Sequence, residues 1–116
     1  MDASSALAGL LELSTQLVEA VIVGPVGVEA SSVADTGRSD ALASAGRALL
    51  AAAETVRPEG PAALDRVVVE LDEAAVVVVR EGERSIVATT GAEPTVGLLV
   101  YDLRTALRGI DGGAAG

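Results

Sequence analysis

The sequence predicts an α+β domain, built as a three-layer α/β/α sandwich around a five-stranded, mostly antiparallel sheet. Three observations carry that prediction. The first is the run AAVVVVR at residues 74–80, the longest β-branched stretch in the chain. It shows no alternation of polar and apolar residues, so both faces of that strand must be covered. The second is helical apolar spacing in three places, residues 3–17, 39–56 and 95–110. The third is the turn chemistry between the β-rich runs. Gly24-Pro25 and Glu81-Gly82 mark tight reversals, because proline presets φ and glycine accepts positive φ. The resulting order is α-β-β-α-β-β-β-α, with the middle helix on one face of the sheet and the two terminal helices on the other.

The first helix, residues 3–17, has Ser4 or Ser5 as its cap, a hydroxyl accepting from an unpaired first-turn N–H. Leu7, Leu10, Leu11 and Leu17 give it one apolar stripe. Residues 17–23, LVEAVIV, read as a strand, and residues 26–33, VGVEASSV, return as its hairpin partner. Gly27 inside the second strand is a candidate for a bulge or a loosely paired edge. The GPVG turn is not a phosphate-binding loop, since it lacks the following lysine and the start of a helix.

Residues 34–38 connect to the middle helix, which Ser39-Asp40 opens and Pro58 and Gly60 stop after Val56. Its inner stripe is Leu42, Ala45, Leu49, Ala52 and Val56. A second strip, Ala43, Gly46, Leu50 and Ala53, lies beside it, with side chains small enough to admit another backbone. Two readings of that strip stand: the wide apolar face of an alanine-rich helix, or a face that meets a partner.

Residues 58–63 read as a loop and residues 64–71, LDRVVVEL, as the third strand. Asp72-Glu73 turns the chain into the valine run, and Glu81-Gly82 turns it again into SIVATT, residues 85–90. Residues 91–94 break that strand. Thr95 then caps a last helix reaching Ile110, with Val96, Leu99, Val100, Leu103, Leu107 and Ile110 on one face. Arg104 and Arg108 lie toward its C-terminus, where cations suit the helix dipole. Residues 1–110 are expected to form a single domain and 111–116 a disordered tail.

Composition narrows the chemistry. The 116 residues carry 17 acidic side chains against 8 basic ones, all arginine, for a net charge of -9, and cysteine and histidine are absent. There is therefore no thiol nucleophile, no thiolate metal site and no neutral-pH imidazole. The negative field argues against a nucleic-acid partner, which needs cations for phosphates. Glu70, Asp72 and Glu73 cluster at a strand end, but without a histidine or a further ligand group they read as a solvated turn. Tyr101 is the lone aromatic, and the serines and threonines have no base beside them. No catalytic, cofactor-binding or metal residue is assigned, and no cofactor is implied. The first residues carry an acidic and no basic side chain, unlike a signal peptide. No apolar run approaches the ~18 residues of a membrane span. A cytoplasmic protein is the expectation, and the Ala/Val/Arg/Gly bias suits a GC-rich bacterial genome such as an actinobacterium's.

The segments VEAVIVGPVGVEASS, SDALASAGRALLAAAETV and SIVATTGAEPTVGLLVYDLRTAL, in this order of elements, resemble the Roadblock/LC7 superfamily with its profilin-like fold. The last segment is similar to the family's closing strand and helix, in which Gly97, Leu98, Tyr101 and Leu103 fill a GL-x-x-Y-x-L pattern. The resemblance covers residues 5–110. The first hairpin departs from it, with Gly24-Pro25-Val26-Gly27 where many relatives carry Asp-Gly. The resemblance implies a homodimer that pairs third strands edge to edge and packs middle helices side by side. On this chain that puts Arg66, Val67, Val68, Val69 and Glu70, with Ala43, Gly46 and Ala53, at the interface. An open strand of three valines would otherwise be an aggregation template.

The resemblance also implies a scaffold or regulator. Some relatives are dynein light chains, and bacterial ones partner Ras-like small GTPases, as the gliding-motility regulator does, or lie beside sensor kinases. The expectation is a non-catalytic homodimeric module that binds and regulates a small GTPase, with Arg47, Leu50 and Glu54 facing the partner. The alternative is a scaffold or adaptor for a sensor kinase or motor-type complex, without a GTPase. An enzyme or small-ligand sensor is the third class, and it would need a closed pocket near Tyr101.

Overall fold

The computed structural model describes residues 1–56 and 65–110. The elements come in the expected order: α1 (Ala3–Leu13), β1 (Leu17–Gly24), β2 (Gly27–Ser31), α2 (Thr36–Glu54), β3 (Arg66–Glu70), β4 (Ala74–Glu81), β5 (Arg84–Gly91) and α3 (Val96–Arg108). The five strands form one sheet in the order β2-β1-β5-β4-β3, and every neighbouring pair is antiparallel. The expected loop at 58–63 and tail at 111–116 lie outside the described residues.

The valine run is an interior strand, hydrogen-bonded to β5 on one side and β3 on the other. Its side chains alternate between two cores. Val77 and Val79 join Ala20, Ile22, Ile86 and Ala88 beneath α1 and α3, together with Leu7, Leu10, Leu99, Leu103 and Leu107. Val78 turns the other way and meets Val21, Val23 and Val87 under α2, against Leu42, Ala43 and Leu50. Both faces of β4 are dry, which is why its sequence lacks a polar period. On α3 the expected face is the buried one, except that Val96 is only half-buried and Asp102 is also covered.

Two of the caps differ from the expected ones, and the start of α2 moves with its cap. Asp2, not a serine, caps α1; its Oδ1 accepts from the Ser5 N–H at 2.8 Å, and that bond holds its carboxyl below the usual aspartate range. α1 ends at Leu13, because Ser14 is extended, and Leu17 belongs to β1, opposite Thr90. α2 begins at Thr36, three residues before Ser39, because Asp35 Oδ1 accepts from the N–H groups of Gly37 and Arg38 at 2.9 and 3.3 Å. Ser39 then lies inside the first turn, buried, with its hydroxyl 2.7 Å from that of Ser31. Thr95 does stand at the N-cap of α3, but its side chain makes no cap bond; its N–H donates to Gln16 Oε1 at 2.6 Å.

The first hairpin closes with Gly24 opposite Gly27, and Gly27 has φ +135°, a value that excludes most side chains. The bulge lies at Glu29, since Ile22 faces Ala30 and Val23 faces Val28. Glu29 reaches over the bare Gly24 and pairs with Arg84 Nε on β5 at 2.6 Å.

Glu19 of β1 ties α2 to the sheet. Arg38 grips it through Nε and Nη2 at 3.0 and 2.8 Å, and Thr89 Oγ1 donates at 3.1 Å. The Arg38 bonds, partly opposed by desolvation, hold the Glu19 carboxyl below its ordinary 4.5. A depressed carboxylate stabilises the fold above its unfolded pKa and loses that contribution as pH falls through the folded value. Glu19→Gln should therefore lower the urea midpoint at pH 7, and the gap to wild type should close as pH falls below the ordinary 4.5 of a glutamate and through the depressed folded value. A gap independent of pH would show that the carboxylate's charge is not what counts.

Candidate protein-interaction surface

Two exposed features adjoin α2 and β3. The first is the β3 edge of the sheet, whose other edge is β2. β3 pairs with β4 on one side only, in the register Arg66↔Val79 to Glu70↔Ala75. Val67, Val68 and Val69 are half-buried and Arg66 and Glu70 exposed. Val68 packs at the margin of the α1/α3 core and Val67 at the margin of the α2 core. The edge strand is thus half-covered by its own helices and open along its hydrogen-bonding side.

The second feature is the outer face of α2, and here the sequence reading needs correcting. The strip Ala43, Gly46 and Leu50, expected to meet a dimer mate or a partner, faces the sheet: Ala43 is 2% and Leu50 6% exposed. Gly46 is buried hard against β5, where a Cβ would run into Val87 Cγ2. Ala53 is half-buried. The helix is rotated from the expected face: at position 46 its backbone lies against Val87 of β5, and a side chain there would collide with it. Ala45 and Ala52, assigned to the inner stripe, are exposed, and Val56 lies beyond the helix end at 75% exposure. The outward surface is Ala41, Ser44, Ala45, Ala48, Ala51 and Ala52, all exposed. Arg47 is the only charge between residues 41 and 53, and it is exposed.

Of the three residues expected to face a partner, only Arg47 is fully available. Leu50 belongs to the core, and the Glu54 carboxylate is held by Arg80 Nη2 at 2.9 Å. No signal in the sequence named the alanine face, since alanine fits either side of a helix.

On the other side of the sheet an open cleft of about 240 Å³ runs between β3 and α3, lined by Arg66, Tyr101, Arg104 and Arg108 among others. Arg104 lies 3.1 Å from Asp65 and 3.5 Å from Glu81, and Arg108 3.0 Å from Glu81. The contacts of Arg104 are close enough for ion pairing but not aligned for hydrogen bonding. Arg66 has no side-chain partner among the described residues. Tyr101 is 67% exposed. Glu70, Asp72 and Glu73 are exposed, and no group of three potential metal ligands occurs among the described residues. None of the described helices is long and apolar enough to cross a membrane.

No family model and no curated protein matches the chain. Solved structures do. A Roadblock/LC7 domain from Streptomyces avermitilis superposes with a TM-score of 0.81 at 20% identity, over 93% of each chain. MglB of Myxococcus xanthus gives 0.67 at 13% identity, over 90% of this chain and 80% of that one. Profilin IA of Acanthamoeba castellanii gives 0.55 at 20% identity, over 91% and 96%. The layer order, the antiparallel sheet and these superpositions agree: the chain has the Roadblock/LC7 fold, in its profilin-like α+β form.

Proposed function

We propose that this protein is a non-catalytic homodimeric interaction module that binds and regulates a Ras-like small GTPase. The observation that carries the reading is the open β3 edge beside a helix whose outer face is alanine and serine. An unpaired strand of three valines is a liability unless another chain pairs with it. Small side chains on α2 let a second helix approach closely. A two-fold dimer that continues the sheet through β3 and lays α2 beside its mate uses both. The dimer contacts on α2 are then Ala41, Ala45, Ala48 and Ala52, in place of Ala43, Gly46 and Ala53.

The likeness to Roadblock/LC7 domains and to MglB supports a regulator or adaptor over an enzyme. Arg47, exposed on an otherwise uncharged helix face, is the proposed anchor for an acidic patch of the GTPase. Regulation would act by ordering the GTPase's own switch segments. The test is size-exclusion chromatography of the protein with Ras-like small GTPases from the same genome, each loaded with GTP or GDP. Co-elution in one nucleotide state is expected, and Arg47→Glu should reduce it. Failure to co-elute in either state would leave the adaptor reading in its place.

A further inference from the structure

We infer that the β3 edge carries a charge-coded register for its own copy, with Val68 on the two-fold axis and Arg66 facing Glu70 of the partner subunit. The inference rests on the edge-to-edge dimer proposed above and specifies how its strands meet. The main chain sets the phase. Arg80 N–H donates to Asp65 O, and Leu71 N–H donates to Ala74 O, each at 2.8 Å. Residues 65, 67, 69 and 71 therefore turn their polar groups toward β4. By the alternation of an antiparallel ladder, Arg66, Val68 and Glu70 turn theirs to the open edge.

The strand reads Arg-Val-Val-Val-Glu, which is its own complement when reversed. An antiparallel mate centred on Val68 sets Val68 against Val68 and each Arg66 against the partner subunit's Glu70. All the outward N–H and C=O groups of Arg66, Val68 and Glu70 then find partners. Directly opposed residues of such hydrogen-bonded pairs lie about 5.5 Å apart at Cα, within reach of an ion pair. Moving the axis to Val67 or Val69 sets Val68 against a charged residue and leaves part of the strand unpaired. A slip of this kind loses both the charge match and the valine contact.

The side chains agree with the main chain. Val68 packs toward α1 and α3, so Arg66 and Glu70, two residues away on either side, share that face. Arg66 lines the cleft beside Tyr101 and Arg104. Its neighbours Arg104 and Arg108 are engaged by Asp65 and Glu81. Neither Arg66 nor Glu70 has a side-chain partner among the described residues. Each is an exposed charge awaiting its complement, and the partner subunit supplies it.

Sedimentation equilibrium on Arg66→Glu, on Glu70→Arg and on their equimolar mixture tests the register. Each variant alone replaces two attractive pairs with two repulsive ones, and its self-association should weaken about tenfold or more. In the mixed dimer the glutamate introduced at position 66 faces the arginine introduced at position 70. The unaltered Arg66 and Glu70 face each other at the other end of the strand pair. A heterodimer within about threefold of the wild-type constant is therefore expected. Variants that self-associate like wild type, or a mixture that does not recover, overturn the register while leaving the dimer standing. A monomeric wild type overturns the edge-to-edge reading and the register together. If a reversed charge prevents folding, Arg66→Gln and Glu70→Gln serve instead: each should weaken association less, and no weakening counts against the register.

Discussion

Gly46→Ala should destabilise the protein by about 1–3 kcal/mol, although glycine to alanine in a helix ordinarily gains roughly 0.5–1 kcal/mol. The sign is the informative part. Gly46 lies mid-helix in α2, where alanine restricts the unfolded chain and costs nothing in the helix itself. Its backbone, however, rests on Val87, and an added Cβ runs into Val87 Cγ2. That methyl cannot swing away. Valine is stiff at χ1, and Val87 is completely buried in a central strand, opposite Val21 on one side and Val78 on the other. Either α2 lifts from the sheet, loosening Leu42 and Leu50, or the strand yields. Gly46→Val enlarges the conflict and should leave little folded protein. Ala48→Gly on the outer face is the control, expected to cost only the ordinary helix penalty of about 1 kcal/mol. Urea denaturation at one fixed protein concentration reads all three, because a dimer's stability depends on concentration. A stabilised Gly46→Ala would restore the outward-facing strip that the sequence suggested.

That strip shows where the sequence was legible and where it was not. β4 was readable because four consecutive valines admit no exposed face. α3 was readable because Leu99, Leu103 and Leu107 recur at helical spacing on one face, with Tyr101, Thr105 and Arg108 exposed off it. α2 offers no such contrast. Leu42, Leu49, Leu50 and Val56 spread around the helix, and the alanines between them fit anywhere. Val56 biased the expected stripe, yet the helix ends at Glu54 and Val56 lies exposed in the turn that follows. The residue that settles the face is Gly46, and its meaning depends on Val87, 41 positions later in the chain. The convergence of Arg38 and Thr89 on the Glu19 carboxylate was equally hidden, since it needs the register of β1 against β5. Arg66 and Glu70 were legible as edge charges, but their common outward phase came only from the bonds of Asp65 and Leu71 to β4.

Val68→Asp should turn the proposed dimer into a monomer, with a loss of about 3 kcal/mol or more, a hundredfold or greater in Kd. Two effects act together. In the register centred on Val68, the two carboxylates would oppose each other at the axis, where strand pairing has removed water. In that register Arg66 would pair across the axis with the partner subunit's Glu70 and would not be free to neutralise either carboxylate. Each chain already carries a net charge of -9, so no general attraction offsets the repulsion. Val68 also touches the margin of the α1/α3 core, so the variant's own fold must be checked. Circular dichroism should show a folded monomer, since the side chain is half-buried at an edge and can turn toward solvent. Val68→Thr keeps the branched shape without the charge, and it should remain dimeric with only modest weakening. Light scattering at micromolar concentration distinguishes the cases. A Val68→Asp protein that stays dimeric would move the interface away from β3, leaving the alanine face of α2 as the surface to probe next.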